Sequence, residues 1–276
     1  MKRSVVPLLL VFFVGIGHSL DPSCDNLSTR FVGTYGTADY KMYFQEGKED
    51  VSPWHDIPLV ADGDAELYNF IVEIPKYTTA KMEVNKENKF NPIMQDIKKE
   101  QPRFYKYGIT FFNYGLLPQT WEDPGVKDSE GNGGDNDPLD VMEVGSRPLP
   151  MGSVVPVKVL GCLELIDEGE TDHKIIVLAA DDPLASRVGD MAELEAAQPG
   201  VTEALATWLK LYKTADGKPA NRLRQDAPTP RAEALEIIRH CSERYQALMA
   251  GEIPDTGFWL RGSNEDESNY SLDHYS

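Results

Sequence analysis

The chain has 276 residues, 41% of them hydrophobic, and a formal charge of −18 at pH 7. That is enough apolar material for a sizeable core. The charge argues against nucleic acid or an anionic membrane as the main partner, because both reward basic patches, and it favours divalent cations.

At the N-terminus, Lys2 and Arg3 precede an apolar run from Val5 to Gly17, which ends at the small-x-small triplet Gly17-His18-Ser19. This is the layout of a cleaved signal peptide over residues 1–19, and the run is too short to span a bilayer comfortably. The leader predicts entry to the secretory pathway, leading to secretion, an ER-derived compartment or a plastid reached through the ER. A cytoplasmic product is the alternative if the leader is no signal. No membrane association is expected of the mature form. Sequons begin at Asn26 and Asn269, in polar tails. Cys24, Cys162 and Cys241 are too scattered for a disulfide framework or a zinc site.

From Phe31 to about Ala180 the pattern is strand-rich. Short apolar or alternating runs are separated by turn residues: Tyr40–Phe44, Asn69–Ile74, Ala80–Val84, Leu139–Val144, Ser153–Gly161 and His173–Ala180. Strands of this length and spacing predict a small barrel or sandwich. After Asp181 the period becomes helical. Pro199–Lys213 places Val201, Leu205, Trp208, Leu209 and Tyr212 on one face. A further helix is predicted with Thr229 as N-cap, Pro230 at the first helical position and Gly251 just past the end. Its stripe of Leu235, Ile238, Cys241, Tyr245 and Leu248 assigns Cys241 to the core. The organisation expected is one domain over 20–262 and a polar, disordered tail over 263–276.

The stretch GGDNDPLDVMEVG, Gly133–Gly145, concentrates Asp135, Asp137 and Asp140 in a glycine-bounded turn. Like charges this close oppose one another unless something offsets them. Asp135 and Asp137 would share a face of an extended backbone. Asp140 has the opposite parity and joins them only if the chain turns, which Pro138 and the glycines favour. A second cluster, Asp167, Glu168, Glu170 and Asp172, encloses Gly169. Acidic clusters with few histidines suit Mg²⁺, Mn²⁺ or Ca²⁺, the bland alternative being a solvated loop. An EF-hand is excluded. Counting from Asp135 puts Asp140 where that loop needs glycine and Ser146 where it needs a bidentate acid, and counting from Asp128 ends on Leu139. Lys81, Arg103, Tyr114, Lys174, Tyr212 and Lys213 lie in other segments, and no GxxxxGK[ST] loop is present to cradle phosphate. Spacing alone does not say whether these cations surround the acids.

The motif GDNDPLD at Gly134–Asp140 resembles the signature of family I soluble inorganic pyrophosphatases, eukaryotic type. The resemblance runs in order through Phe70–Val84, Asn91–Lys99, Asn113–Pro124, Leu165–Lys174 and Leu211–Pro219, covering roughly Tyr40 to Gly251. It implies an α+β, mainly β fold, a five-stranded OB-like barrel flanked by helices, with 20–262 as the pyrophosphatase domain and a homodimer as the assembly. It implies that Asp135, Asp140 and Asp172 bind the principal Mg²⁺ ions and that Glu73 and Asp167 serve further metal positions. Asp137 matches the carboxylate that activates water. Lys81, Arg103, Lys174, Tyr212 and Lys213 match phosphate contacts, with Tyr114 and Glu83 completing the site. The activity so implied is hydrolysis of pyrophosphate, with Mn²⁺ a substitute for Mg²⁺ and Ca²⁺ inhibitory. The competing reading is a secreted acidic cation-binding protein on an inactive scaffold. Two positions depart from the pattern: His173 stands where eukaryotic relatives carry tryptophan, and the segment between Arg103 and Tyr114 is shorter than in fungal and animal relatives.

Overall fold

The computed structural model describes residues 26–64, 66–254 and 256–261. The leader, Cys24, the Asn269 sequon and the tail over 263–276 lie outside the described residues. Five strands carry the architecture: β1 (Leu67–Ile74), β2 (Asn113–Leu116), β3 (Asp140–Glu143), β4 (Val154–Asp167) and β5 (Glu170–Ala179). Pairing runs β1 to β2 to β3 to β5 to β4 and back to β1, so the sheet closes on itself. This is the small OB-like barrel the sequence implied, with β3 and β5 its one parallel pair. The ring is uneven. Register slips between Tyr114 and Gly115 and between Val159 and Gly161, and β4 is far longer than β2.

Alternation explains how the barrel is filled. On β1, Phe70 and Val72 pack with Val157, Val159, Ile175 and Val177. Ile71 faces the opposite way, toward Met82, Ile93 and Leu116, and Ile74 joins it because the register slip opposite Tyr114 and Gly115 breaks the alternation at Glu73. A strand apolar on both faces reads as a continuous hydrophobic run, and Glu73 interrupts it as a buried acid. A side sheet that includes Lys41–Glu46, Met82–Val84 and Ile93–Gln95 covers this second face.

Among the described residues, three helices flank the barrel: α1 (Met191–Ala197), α2 (Val201–Leu211) and α3 (Arg231–Met249). The α2 stripe of Leu205, Trp208 and Leu209 packs with Leu163 and Ile176, and α3 buries Ile238, Cys241, Tyr245 and Leu248. Both Cys162 and Cys241 are buried free thiols. The expected helix ends shift in two places. Pro230, not Thr229, is the N-cap of α3, because Thr229 and Pro230 both pair with β4, at Cys162 and Gly161, and Pro230 keeps an extended ψ of 154°. The helix expected over Pro199–Lys213 ends at Leu211, and Tyr212–Asp216 tightens into a 3₁₀ turn closed by Gly217 at φ +79°. Among the described residues, no helix is long and apolar enough to cross a membrane.

Candidate active site

Strand ends and turns converge on one cavity of about 400 Å³. It is lined by all the residues that the family resemblance assigned to the site: Glu73, Lys81, Glu83, Arg103, Tyr114, Asp135, Asp137, Asp140, Asp167, Asp172, Lys174, Tyr212 and Lys213. The topology accounts for the convergence. The parallel register sets Asp140 of β3 beside Lys174 of β5. Period two along β5 gives Asp172 the same face as Lys174. The β4–β5 hairpin turns on Glu168 and Gly169, both at positive φ, which brings Asp167 to the cavity rim. Glu168 itself pairs outward with Lys218 at 2.6 Å.

The aspartate turn is built differently from an extended strand. Asn136 sits at φ +70°, a conformation asparagine tolerates, and the Asp137 N–H donates to Asp135 Oδ1 at 3.0 Å. Gly134 makes room for this turn, since a Cβ there would lie 2.4 Å from the Glu122 carbonyl oxygen. The turn is pinned to the Trp121–Glu122 segment by Asn136 N–H to Glu122 O (3.0 Å) and Glu122 N–H to Asp137 O (2.9 Å).

That segment supplies a residue the sequence reading missed. Carboxylate oxygens of Glu122, Asp135 and Asp172 lie within 4.8 Å of one another, and Glu122 is buried. Its Oε1 is bonded to His173, whereas Oε2 is buried and accepts no hydrogen bond among the described residues. Burial, reinforced by the neighbouring acids, pushes the Glu122 and Asp135 carboxyls well above the usual range. Burial likewise raises Asp172, to about 7, against the opposing pull of Lys174. Three crowded carboxylates with an orphaned buried oxygen fit a hard divalent cation, which relieves both the repulsion and the missing bond. Of the three aspartates expected to share the principal metals, Asp135 and Asp172 belong to this group. Asp140 lies outside the group, paired with the Lys174 ammonium that Asp172 also takes.

The cavity's ammonium and guanidinium groups are matched to acids. Lys174 pairs with Asp140 and with Asp172 (2.5 Å) and donates to the Tyr114 hydroxyl (2.9 Å). Lys213 pairs with Asp167 (2.5 Å to Oδ1). Lys81 pairs with Glu83 and with Asp96 (2.9 Å), and Asp96 also takes Arg103. Lys86 pairs with Asp137. Asp96 and Lys86, like Glu122, escaped the sequence reading. Glu73 is buried, and burial together with Asp140 raises its carboxyl well above the usual range, with Oε1 accepting the Val84 N–H at 2.5 Å.

A family model described as inorganic pyrophosphatase matches residues 70–246. The chain belongs to the inorganic pyrophosphatase family. Its members are hydrolases, inorganic diphosphatases, and the relatives are of the eukaryotic type. An inorganic pyrophosphatase of Candida albicans is 44% identical over 235 residues, 83% of this chain and 82% of its own length. Among solved structures, that of inorganic pyrophosphatase from Schistosoma japonicum superposes with a TM-score of 0.81 at 40% identity, covering 86% of this pyrophosphatase and 87% of that one. A truncated vacuolar soluble pyrophosphatase of Trypanosoma cruzi, solved in complex with PPi, gives a TM-score of 0.78 at 36% identity, over 90% and 99% of the two chains.

Proposed function

We propose that this pyrophosphatase hydrolyses inorganic pyrophosphate to two orthophosphates in an Mg²⁺-dependent reaction, by in-line attack of water and without a phosphoenzyme. The observation that carries the reading is the mutual pairing of acids and bases around one cavity. Neither a cation nor an anion fits it alone, but a cation would take the carboxylates as the phosphates take the ammonium and guanidinium groups.

Glu122, Asp135 and Asp172 would hold the principal cation, with Asp140, Asp167 and Glu73 serving further positions. Divalent cations so bound lower the pKa of water and neutralise phosphate charge. Asp137, half-exposed at the cavity mouth, accepts the proton of the attacking water as the new P–O bond forms and the bridging P–O bond breaks. Lys81, Arg103, Lys174, Tyr212 and Lys213 hold the phosphoryl oxygens and stabilise charge on the departing phosphate. Tyr114 and Glu83 orient Lys174 and Lys81. Mn²⁺ would substitute, and Ca²⁺, larger and looser in geometry, would inhibit. A homodimer and the secretory route belong to the same reading. They are tested by light scattering and by imaging a tagged chain with and without residues 1–19.

The deciding experiment is phosphate release from pyrophosphate with Mg²⁺, with and without excess chelator. Release that the chelator abolishes supports the proposal. Cation binding without turnover across metals and pH would sink it in favour of a binding protein.

A further inference from the structure

Residues 256–261 pack against Lys86, one of the residues that line the cavity. There the Trp259 N–H donates to the Lys86 carbonyl (2.8 Å), and the Phe258 ring centre lies 5.2 Å from Lys86 Nζ. The Trp259 carbonyl accepts from Asn91 Nδ2 (3.3 Å) and lies 3.1 Å from His55 Nε2, while Arg261 pairs with Asp56. Phe258 also meets Trp121 edge-on, with ring centres 6.5 Å apart.

The two residues that Phe258 touches converge on Asn136, one at its carbonyl and one at its side chain. Lys86 Nζ donates to the Asn136 carbonyl (2.7 Å), and Trp121 Nε1 donates to Asn136 Oδ1 (3.1 Å). Asn136 is the left-handed residue between Asp135 and Asp137, and Lys86 also pairs with the Asp137 carboxylate. A non-glycine residue in that conformation persists when its surroundings over-determine it. A lysine on a flexible stem does so only if something limits its rotamers.

We propose that Phe258–Arg261 is a strap that positions Asp137, by holding Lys86 and Trp121 onto the Asn136 turn. Phe258 and Trp259 act through Lys86 and Trp121 and touch no reacting atom; they are positioning residues. The role of Asp137 rests on the function proposed above, whereas the strap's hold on the turn does not.

The test compares Phe258→Ala, Phe258→Tyr, Lys86→Met and the Phe258→Ala/Lys86→Met double variant in the full chain. Two readouts are taken: steady-state kinetics with Mg²⁺, and the Trp121 indole N–H resonance, identified by Trp121→Phe. Thermal unfolding checks that each variant is folded. Removing the Phe258 ring should lower kcat about tenfold with KM within twofold, and Phe258→Tyr should restore most of it. Lys86→Met should act similarly, and the double variant should lose little more than the worse single one. The Trp121 indole signal should move in Phe258→Ala and stay in Phe258→Tyr. A folded Phe258→Ala with unchanged indole signal overturns the strap, whether or not the wild type turns over. So does wild-type kcat in that variant, a rise in KM alone, or multiplying losses in the double variant. A wild type that releases no phosphate counts against the pyrophosphatase reading, and the indole readout still decides the strap.

Discussion

Glu122 Oε1 and His173 Nδ1 lie 2.6 Å apart, and the same oxygen also receives the His173 backbone N–H at 3.2 Å. Glu122 is thereby gripped from one side, while its Oε2 has no hydrogen bond among the described residues. Groups that orient a ligating carboxylate commonly change metal affinity about 10–100-fold when removed. Replacing His173 by Phe keeps the backbone N–H and deletes the ring nitrogen that bonds Glu122. Calorimetric titration with Mn²⁺ should show affinity weakened about tenfold. Unchanged affinity would reduce His173 to packing.

Asp137 offers the sharper kinetic test. Asparagine preserves its shape and some hydrogen bonding but accepts no proton. Loss of a general base costs about 10²–10⁴-fold in rate. Asp137→Asn should therefore lower kcat within that range with KM nearly unchanged, since the phosphate-holding residues remain. A variant with full kcat would take Asp137 out of the proton transfer.

Much of this was legible beforehand, for identifiable reasons. Four of the barrel strands declare themselves through a period-two or continuous apolar run, as in Asn69–Ile74, whereas β2, four residues with a glycine among them, carries no such run and is absent from the strand pattern read in the sequence. The aspartates of the turn are legible because glycines and a proline surround them. Glu122 was not, although Trp121-Glu122-Asp123-Pro124 lay in plain view. Its loop has no periodicity, and its burial arises from the Asp135–Asp137 turn folding back upon it. Lys86 and Asp96 act through side-chain pairs between residues distant in the chain, which no local pattern encodes. The end of α2 was misplaced for a similar reason. The apolar stripe continues through Tyr212, but the backbone tightens into a 3₁₀ turn, with Lys213 buried against Asp167.

A pH effect on stability follows from His55, which lies beside Asp56 and Arg261 and does not line the cavity. Its ring lies between the Tyr245 hydroxyl (2.9 Å from Nδ1) and the Trp259 carbonyl. Burial pulls its pKa from 6.5 down to about 4. The folded state keeps the ring neutral, whereas the unfolded chain takes up a proton below about pH 6.5, so acidification favours unfolding. His55's contribution is intact above about pH 6.5 and falls away down to about pH 4. Between pH 7 and 5 this amounts to about 2 kcal/mol. Urea unfolding at those two pH values should show wild type losing more stability than His55→Gln, by about that margin. Equal losses would mean that the His55 ring protonates as freely folded as unfolded.

Gly134 links backbone space to the site. Its φ is not in the left-handed region, so the demand there is for room. A Cβ would lie 2.4 Å from the Glu122 carbonyl oxygen and 3.0 Å from the Asp123 nitrogen, both backbone atoms that cannot swing away. Gly134→Ala must therefore separate the aspartate turn from Glu122, loosening the Asn136–Glu122 hydrogen bond and spreading the carboxylate group. Overpacking of this kind costs about 1–3 kcal/mol. The control is Gly63→Ala, where the nearest atom is a Val60 methyl at 4.0 Å and the expected change is within about 0.5 kcal/mol. Denaturant unfolding should separate the two variants, and Mn²⁺ titration should show affinity lost only in Gly134→Ala. A destabilised Gly134→Ala with wild-type metal affinity would mean that the turn can shift without carrying Asp135 away from Glu122 and Asp172, and the three-carboxylate cation site would then be wrong.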